Sequence, residues 1–244
     1  MSMLDIPSPN AVMPLAGAAA HPLDNVIWSA LTSQHSAFAQ GGTLARRYPA
    51  DVAPFIAMPD TTAESFAAMA QIMTPTDHAA LFTVDPLTLP DCFEIVFTKD
   101  LDQMIGPTIP VSLEAPHITQ LGAADVDHMM ALVDLAKPGP FAPRTYELGN
   151  YLGIRVDGKL AAMSGERMHL DGYTEISAVC SDPAFRGRGY PRDLILTLSN
   201  AIVARGEVPF LHVLSDNLSA IALYTKLGFT WRTTLQLTVL RLAG

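Results

Sequence analysis

The chain has 244 residues, 49% of them hydrophobic and 16% charged, with a formal net charge of −9. That length and apolar content suit one large folded domain or two small ones and exclude a disordered chain. The acidic balance argues against a general nucleic-acid binder, whose surface would be basic.

No apolar run approaches the roughly 20 residues of a membrane span. The apolar run 11–20 is short, contains Pro14 and follows Asp5 rather than a basic segment, so it is a poor signal peptide. Cys92 and Cys180 are the two cysteines, and no Cys/His grouping has metal-ligand spacing. Cys180 lies in an apolar strand-like run, which favours a buried, reduced thiol over a disulfide. These features predict a soluble, cytoplasmic protein without a metal, and with neither nucleic acid nor membrane as partner.

In chain order, the prolines among residues 1–22 predict an irregular arm. Asp24 or Asn25 caps a helix to about Gln40, ended by Gly41-Gly42. Residues 53–58 read as a short strand. Asp60 or Thr61 caps a helix to about Met73, with Phe66, Met69, Ala70 and Met73 at helical spacing. Residues 79–84 and 92–98 read as strands. The proline-rich stretch 106–116 reads as a connection, dividing the chain into an N-terminal α/β region, residues 1–112, and a second unit, residues 113–244.

The second unit opens with a strand near Ile118 and a helix over 123–136, stopped at Lys137-Pro138-Gly139-Pro140. Strands over 151–156 and 160–169 meet at Asp157-Gly158, a hairpin dipeptide. Leu170-Asp171-Gly172 turns into a third strand, Tyr173 to Ser181. A Gly/Arg loop and a helix ending at Gly206 come next. The strand PFLHVL, a helix capped by Asp216 or Asn217 and a last strand from Trp231 complete the chain. The order gives a mixed α/β sheet flanked by helices.

The loop SDPAFRGRGYPR, residues 181–192, has a shape suited to phosphate. Gly187 and Gly189 allow a tight turn. The free N–H groups and dipole of the new helix favour an anion. Arg186, Arg188 and Arg192 add fixed positive charge. A surface turn with solvated arginines is the alternative reading of the same spacing.

Arg186-Gly187-Arg188-Gly189-Tyr190, the Asp182-Pro183 before it and the later run NLSAIALYTKLGF, residues 217–229, together resemble the GNAT superfamily of N-acetyltransferases over residues 115–244. The run EISAVCSDPAFRGRG also resembles a branch close to glycine N-acyltransferase-like proteins. The resemblance implies a mostly antiparallel GNAT sheet, with acetyl-CoA or another acyl-CoA as co-substrate and a small-molecule amine or amino acid as acceptor. It implies cofactor contacts from the backbone of Val179, Cys180 and Ser181, from Arg186, Gly187, Arg188, Gly189, Tyr190 and Arg192, and from Asn217. Pro191 departs from the family pattern, which has Gly or Ala there, and a missing N–H removes one phosphate donor.

The resemblance also implies direct attack of the amine on the thioester. Tyr224 matches the family's tyrosine beside the CoA sulfur, a general acid in many members. Glu175 matches the glutamate base of some members. Strand alternation places Glu175, Ser177, Val179 and Ser181 on one face, and a raised pKa is expected for a base there. Each has a structural alternative, a satisfied core tyrosine and an ion-paired glutamate. His169 and His212 read as structural histidines, and Cys180 as a packed thiol rather than a nucleophile. The first half is expected to be a degenerate copy of the same fold, walling the acceptor pocket or forming a homodimer contact. A non-catalytic acyl-CoA-binding module is the competing function.

Overall fold

The computed structural model describes residues 21–111 and 118–244. The predicted arm, except its last two residues, and residues 112–117 of the connection lie outside them.

Helix α1 (Val26–Thr32) is shorter than its periodicity predicts. The hydroxyls of Thr32 and Ser33 turn back onto the carbonyls of Trp28 and Ser29, at 2.7 and 2.6 Å. Such bonds compete with helix continuation, and only a single 3-10 turn, Ser36–Phe38, follows. Strands β1 (Gln40–Gly41), β2 (Arg46–Arg47) and β3 (Ile56–Ala57) form a small antiparallel sheet. Helix α2 (Ala63–Gln71) is capped by Thr62 rather than Asp60 or Thr61. Asp60 sits one layer out, accepting from the Thr62 and Ser65 hydroxyls at 2.7 and 2.6 Å. Strands β4 (Ala79–Thr83) and β5 (Phe93–Ile105) end the first half.

The second half runs β6 (Ile118–Leu121), α3 (Val126–Ala136), β7 (Tyr151–Val156), β8 (Lys159–Leu170), β9 (Tyr173–Ser181), α4 (Tyr190–Ala204), β10 (Val208–Leu214), α5 (Leu218–Lys226) and β11 (Thr230–Leu242). This is the predicted order. The β7–β8 turn holds Asp157 and Gly158 at φ 49° and 80°, the left-handed pair that this two-residue turn requires.

The large sheet has eight strands in the order β4-β11-β5-β10-β9-β8-β7-β6, and every neighbouring pair is antiparallel except β9 with β10. Strand β5, from the first half, lies between β10 and β11. Strands β4 and β5 of the first half thus extend the one large sheet. Strand β5 runs seven residues past the predicted end at Thr98, through Lys99, Asp100 and Asp102. Those charges hid it. Asp102 is satisfied inside the sheet, accepting from Ser215 and Thr234 at 2.8 and 2.7 Å.

One face of the sheet is covered by α4 and α5, whose Ile195, Leu198 and Tyr224 pack on Ile176, Leu211 and Phe229. On the other face α1 packs around Phe55, Phe82 and Phe210, and α3 around Tyr151, Met163 and Cys180. No helix among the described residues is long and apolar enough to cross a membrane.

Candidate active site

Strands β9 and β10 pair in parallel only between residues 173–175 and 208–210. Beyond that they part, and β10 continues against β5 alone. A bulge in β9 contributes to the parting. The β8 register jumps between Met163↔Cys180 and Gly165↔Ser177, and Ala178 takes φ 52°. A bulge leaves one residue unpaired and bends its strand. It also breaks the predicted alternation: Val179 packs with Ile176 toward α4, while Ala178 and Cys180 pack toward α3. Glu175 and Val179 therefore do not share a face.

The parted strands open a cleft of about 1030 Å³. One side is lined by residues 176–181 of β9, Arg186, Pro191, Asn217 and Tyr224. First-half residues line the other, among them Phe55, Phe82 and Phe97, together with Leu237 and Val239 of β11. The Ser181 hydroxyl is buried without a hydrogen-bond partner among the described residues. A buried, unpaired hydroxyl costs about 1–3 kcal/mol, so an acceptor or donor from a bound molecule is favourable there.

The Gly/Arg loop sits at the α4 end of the cleft. Asp182 Oδ1 accepts from Ala184 N at 2.8 Å and shapes the loop entry. Gly187 and Gly189 stand at φ 78° and 79°, with nothing within 4 Å of where a Cβ would lie. Their need is conformational, not steric: the left-handed backbone aims the next N–H groups at the helix mouth. Gly189 is the N-cap of α4 and Pro191 stands in its first turn. Of the arginines, Arg186 lines the cleft. Arg188 lies over the Phe185 ring at 5.2 Å, and Arg192 bonds Asp193 at 3.0 Å. Tyr190 turns inward against Leu194 and Ile154.

On the next helix, Asn217 Oδ1 accepts from Ala220 N at 3.2 Å and caps α5. Seven residues on, Tyr224 reaches the cleft wall, its ring 6.1 Å from that of Phe229. Burial pushes its phenol up to about 12, so it carries its proton at neutral pH.

Glu175 does not line the cleft. It is fully buried beneath it. Arg167 grips it with two bonds, Nε to Oε2 at 2.8 Å and Nη2 to Oε1 at 2.6 Å, and His212 Nδ1 lies 2.7 Å from Oε1. Burial alone would raise the carboxyl. The Arg167 charge and the His212 hydrogen bond outweigh it and hold the group down at about 2. The raised pKa expected of a base is thus reversed, because a cation was packed beside it.

The His212 tautomer follows from its neighbours. Arg232 donates to Gln103 Oε1, so the Gln103 amide nitrogen faces His212 Nε2, at 2.9 Å. That nitrogen donates, so Nε2 accepts and Nδ1 carries the hydrogen given to Glu175. His169 bonds Glu207 at 2.9 Å. Burial pushes the Cys180 thiol up to about 12, which disfavours a thiolate.

Comparison with known proteins agrees with this geometry. The family described as FR47-like protein matches residues 151–237. The N-alpha-acetyltransferase RimI of Mycobacterium tuberculosis is 34% identical over 139 residues, which are 52% of this chain and 82% of the relative. A ribosomal protein bS18-alanine N-acetyltransferase of Salmonella typhimurium is 32% identical over 46% of this chain and 79% of its own length. The crystal structure of an acetyltransferase of the GNAT family from Novosphingobium aromaticivorans superposes with a TM-score of 0.87 at 36% identity, covering 92% of this chain and 100% of that one. The chain belongs to the GNAT family of N-acetyltransferases.

In this acetyltransferase the motif residues Val179, Cys180, Ser181, Arg186, Asn217 and Tyr224 converge on one cleft, while Arg188, Tyr190 and Arg192 point elsewhere. Sequence reasoning missed Arg167, Gln103 and the aromatic wall of Phe55 and Phe82. The turn at Asp171-Gly172 pairs Leu170 with Tyr173 and His169 with Thr174, and only a register shift between Glu166 and His169 brings Arg167 to Glu175, so the sequence carried no direct signal for Arg167.

Proposed function

We propose that this acetyltransferase moves an acetyl group from acetyl-CoA to the amine of a small molecule or amino acid by direct attack in the cleft between β9 and β10. One observation carries this reading: the parted strand end, the Gly/Arg helix mouth and the Tyr224 ring all border a single cavity. The backbone of residues 179–181 lies on an edge unpaired with β10 and takes the extended pantetheine arm as an added strand. The unpartnered Ser181 hydroxyl fits such an arm. Residues 186–190 and the first turn of α4 receive the pyrophosphate, with Arg186 nearest and Arg188 and Arg192 swinging from exposed positions. Asn217 touches the arm from the start of α5.

Acetyl-CoA supplies a thioester whose carbonyl carbon accepts the amine and whose sulfur leaves as thiolate. Tyr224 holds a proton beside that sulfur and gives it to the leaving group. Glu175 acts indirectly. Its charge fixes Arg167 and His212 at the inner end of the cleft, making it a positioning residue rather than the base. The acceptor then reacts as its free amine and passes its proton to solvent. The exposed Cys92 and the buried Cys180, both unbridged, fit a reducing cytoplasm.

A protein amine, such as the ribosomal-protein alanine named for the Salmonella relative, is a second reading. It is favoured by Ile95, Val96 and Phe97, which stand 53%, 44% and 46% exposed on β5, the last of them lining the cleft. Mass spectrometry after incubation with acetyl-CoA decides between them. N-acetylated small amines support the first reading, and acetylation confined to peptides supports the second.

A further inference from the structure

The inner end of the cleft is built from four stacked side chains. The Arg167 guanidinium lies 4.9 Å over the Phe55 ring. The Phe55 and Phe82 rings are 5.4 Å apart and the Phe82 and His212 rings 5.1 Å apart, both edge to face. All four border the cavity. The chamber is therefore an aromatic slot with a guanidinium at one side.

The charge pattern of the lining is one-sided. Lys99, Lys137, Arg167 and Arg186 line the cleft, and no aspartate or glutamate does among the described residues. This holds in a chain whose net charge is −9. Arg186 belongs to the phosphate end. Arg167 lies at the opposite, aromatic end, where CoA phosphates do not reach in the proposed pose. Its side chain is only 10% exposed. Two of its three nitrogens are spent on Glu175, through Nε and Nη2. The third, Nη1, has no hydrogen-bond partner among the described residues. Nη1 is not among the fully buried unpaired atoms, so it is open to the cavity that Arg167 lines, and a charged donor with a free N–H there favours an anionic acceptor atom.

We propose that the acceptor is an amine carrying a carboxylate on an apolar, preferably aromatic, frame, with Arg167 Nη1 holding the carboxylate and Phe55 and Phe82 the frame. This rests on the acetyl-transfer reading of the same cleft. Polyamines and other multiply charged cations are disfavoured by the sign of the lining. Peptide N-termini lack a carboxylate near the amine and leave Nη1 unpaired. Phe55 and Phe82 favour a planar ring because edge-to-face contacts with it add to simple burial. Glu175 keeps Arg167 in place without entering the cavity, so it does not repel the incoming carboxylate at contact range.

The test uses the full chain, acetyl-CoA and matched acceptors: phenylalanine, phenylalaninamide, phenethylamine, spermidine and a peptide with N-terminal alanine. Thiol release is measured for each. The expected kcat/KM for phenylalanine is at least about ten-fold above phenylalaninamide and phenethylamine, the size of one charge-assisted hydrogen bond. Arg167→Lys keeps the charge but loses the fork, and should shrink that preference to within a few-fold. Should that variant fail to fold, a wild-type measurement replaces it. In ligand-observed NMR on the CoA-saturated protein, 3-phenylpropanoate should bind and 3-phenylpropanamide should not. Equal or better turnover of phenethylamine, spermidine or the peptide overturns the carboxylate assignment while leaving acetyl transfer intact. Binding of acetyl-CoA with no amine acetylated overturns both.

Discussion

Arg167 and Glu175 face each other across the β8–β9 hairpin, bonded twice at 2.8 and 2.6 Å, with side chains 10% and 1% exposed. Desolvating two charges costs several kcal/mol each, and the pair is tolerated because two charge-assisted bonds join them and His212 adds a third to the carboxylate. Gln103 and Arg232 extend the chain of contacts to Asp24, which Arg232 meets at 2.5 Å. A remote surface pair thus fixes which way an amide points, and the amide fixes an imidazole lining the cleft.

Removing the Glu175 charge should be costly and should change the acid limb of stability. Glu175→Gln leaves Arg167 buried without a counter-charge, and a loss of about 3–5 kcal/mol is expected. The folded carboxyl is held at about 2, below the roughly 4.3 of an unfolded glutamate. Its contribution is therefore full above the unfolded value and lost as pH falls from there toward 2. Thermal unfolding between pH 7 and 2 should show a steeper acid loss in the wild type than in the variant. Parallel curves would remove Glu175 from the acid-sensitive groups.

Pro191 should carry two opposed effects. Pro191→Ala restores an N–H at the α4 mouth, and one further bond to a phosphate should tighten acetyl-CoA by about three- to ten-fold. The same change frees the unfolded chain and should lower stability by about 0.5–1 kcal/mol. Calorimetric titration and denaturant unfolding read the two effects separately. Weaker binding in the variant would show that the proline ring, not its missing hydrogen, shapes the mouth.

Gly189 is held at φ 79° in open space. An alanine there meets no clash, yet its left-handed backbone should cost about 1–2 kcal/mol. Relaxation of that strain would turn the loop N–H groups away from the cleft. Gly189→Ala is expected to weaken acetyl-CoA binding by about ten-fold, with far-UV circular dichroism unchanged. Unaltered affinity would move the phosphate site off this loop.

The acid and base behaviour should belong to the acceptor rather than to the protein. Both His212 nitrogens are engaged and Glu175 is held ionised by Arg167. For two amines of different pKa, kcat/KM should rise with pH along curves displaced by that difference. A shared inflection near pH 6.5 would instead assign the proton to an imidazole. His78, the other histidine lining the cleft, would then be the first to substitute.

The conformations of the Gly/Arg loop and of the α5 motif were legible because each is a contiguous run whose local geometry depends on its own residues. Asn217 caps, Tyr224 follows two turns later, and Gly187 and Gly189 take the only conformations their positions need. Strand β5 was legible only to Thr98, since Lys99 and Asp102 find their partners, Asp216 and the Ser215 and Thr234 hydroxyls, far away in sequence. The bulge at Ala178 left no mark, because nothing in an alanine announces φ 52°. Glu175 was found at the right address with the wrong neighbour. Despite burial, its carboxyl is held down chiefly by Arg167, and that pairing depends on a register shift in β8 between Glu166 and His169 that the turn alone does not foretell.

The most direct test of the account compares wild type with Tyr224→Phe, measuring acetyl-CoA affinity by calorimetry and amine-dependent thiol release side by side. The account predicts unchanged affinity within about two-fold and a fall in kcat of about 100-fold or more, the usual share of a general acid. Equal rates in the two proteins, or acetyl-CoA binding without thiol release on any amine in the wild type, would contradict it.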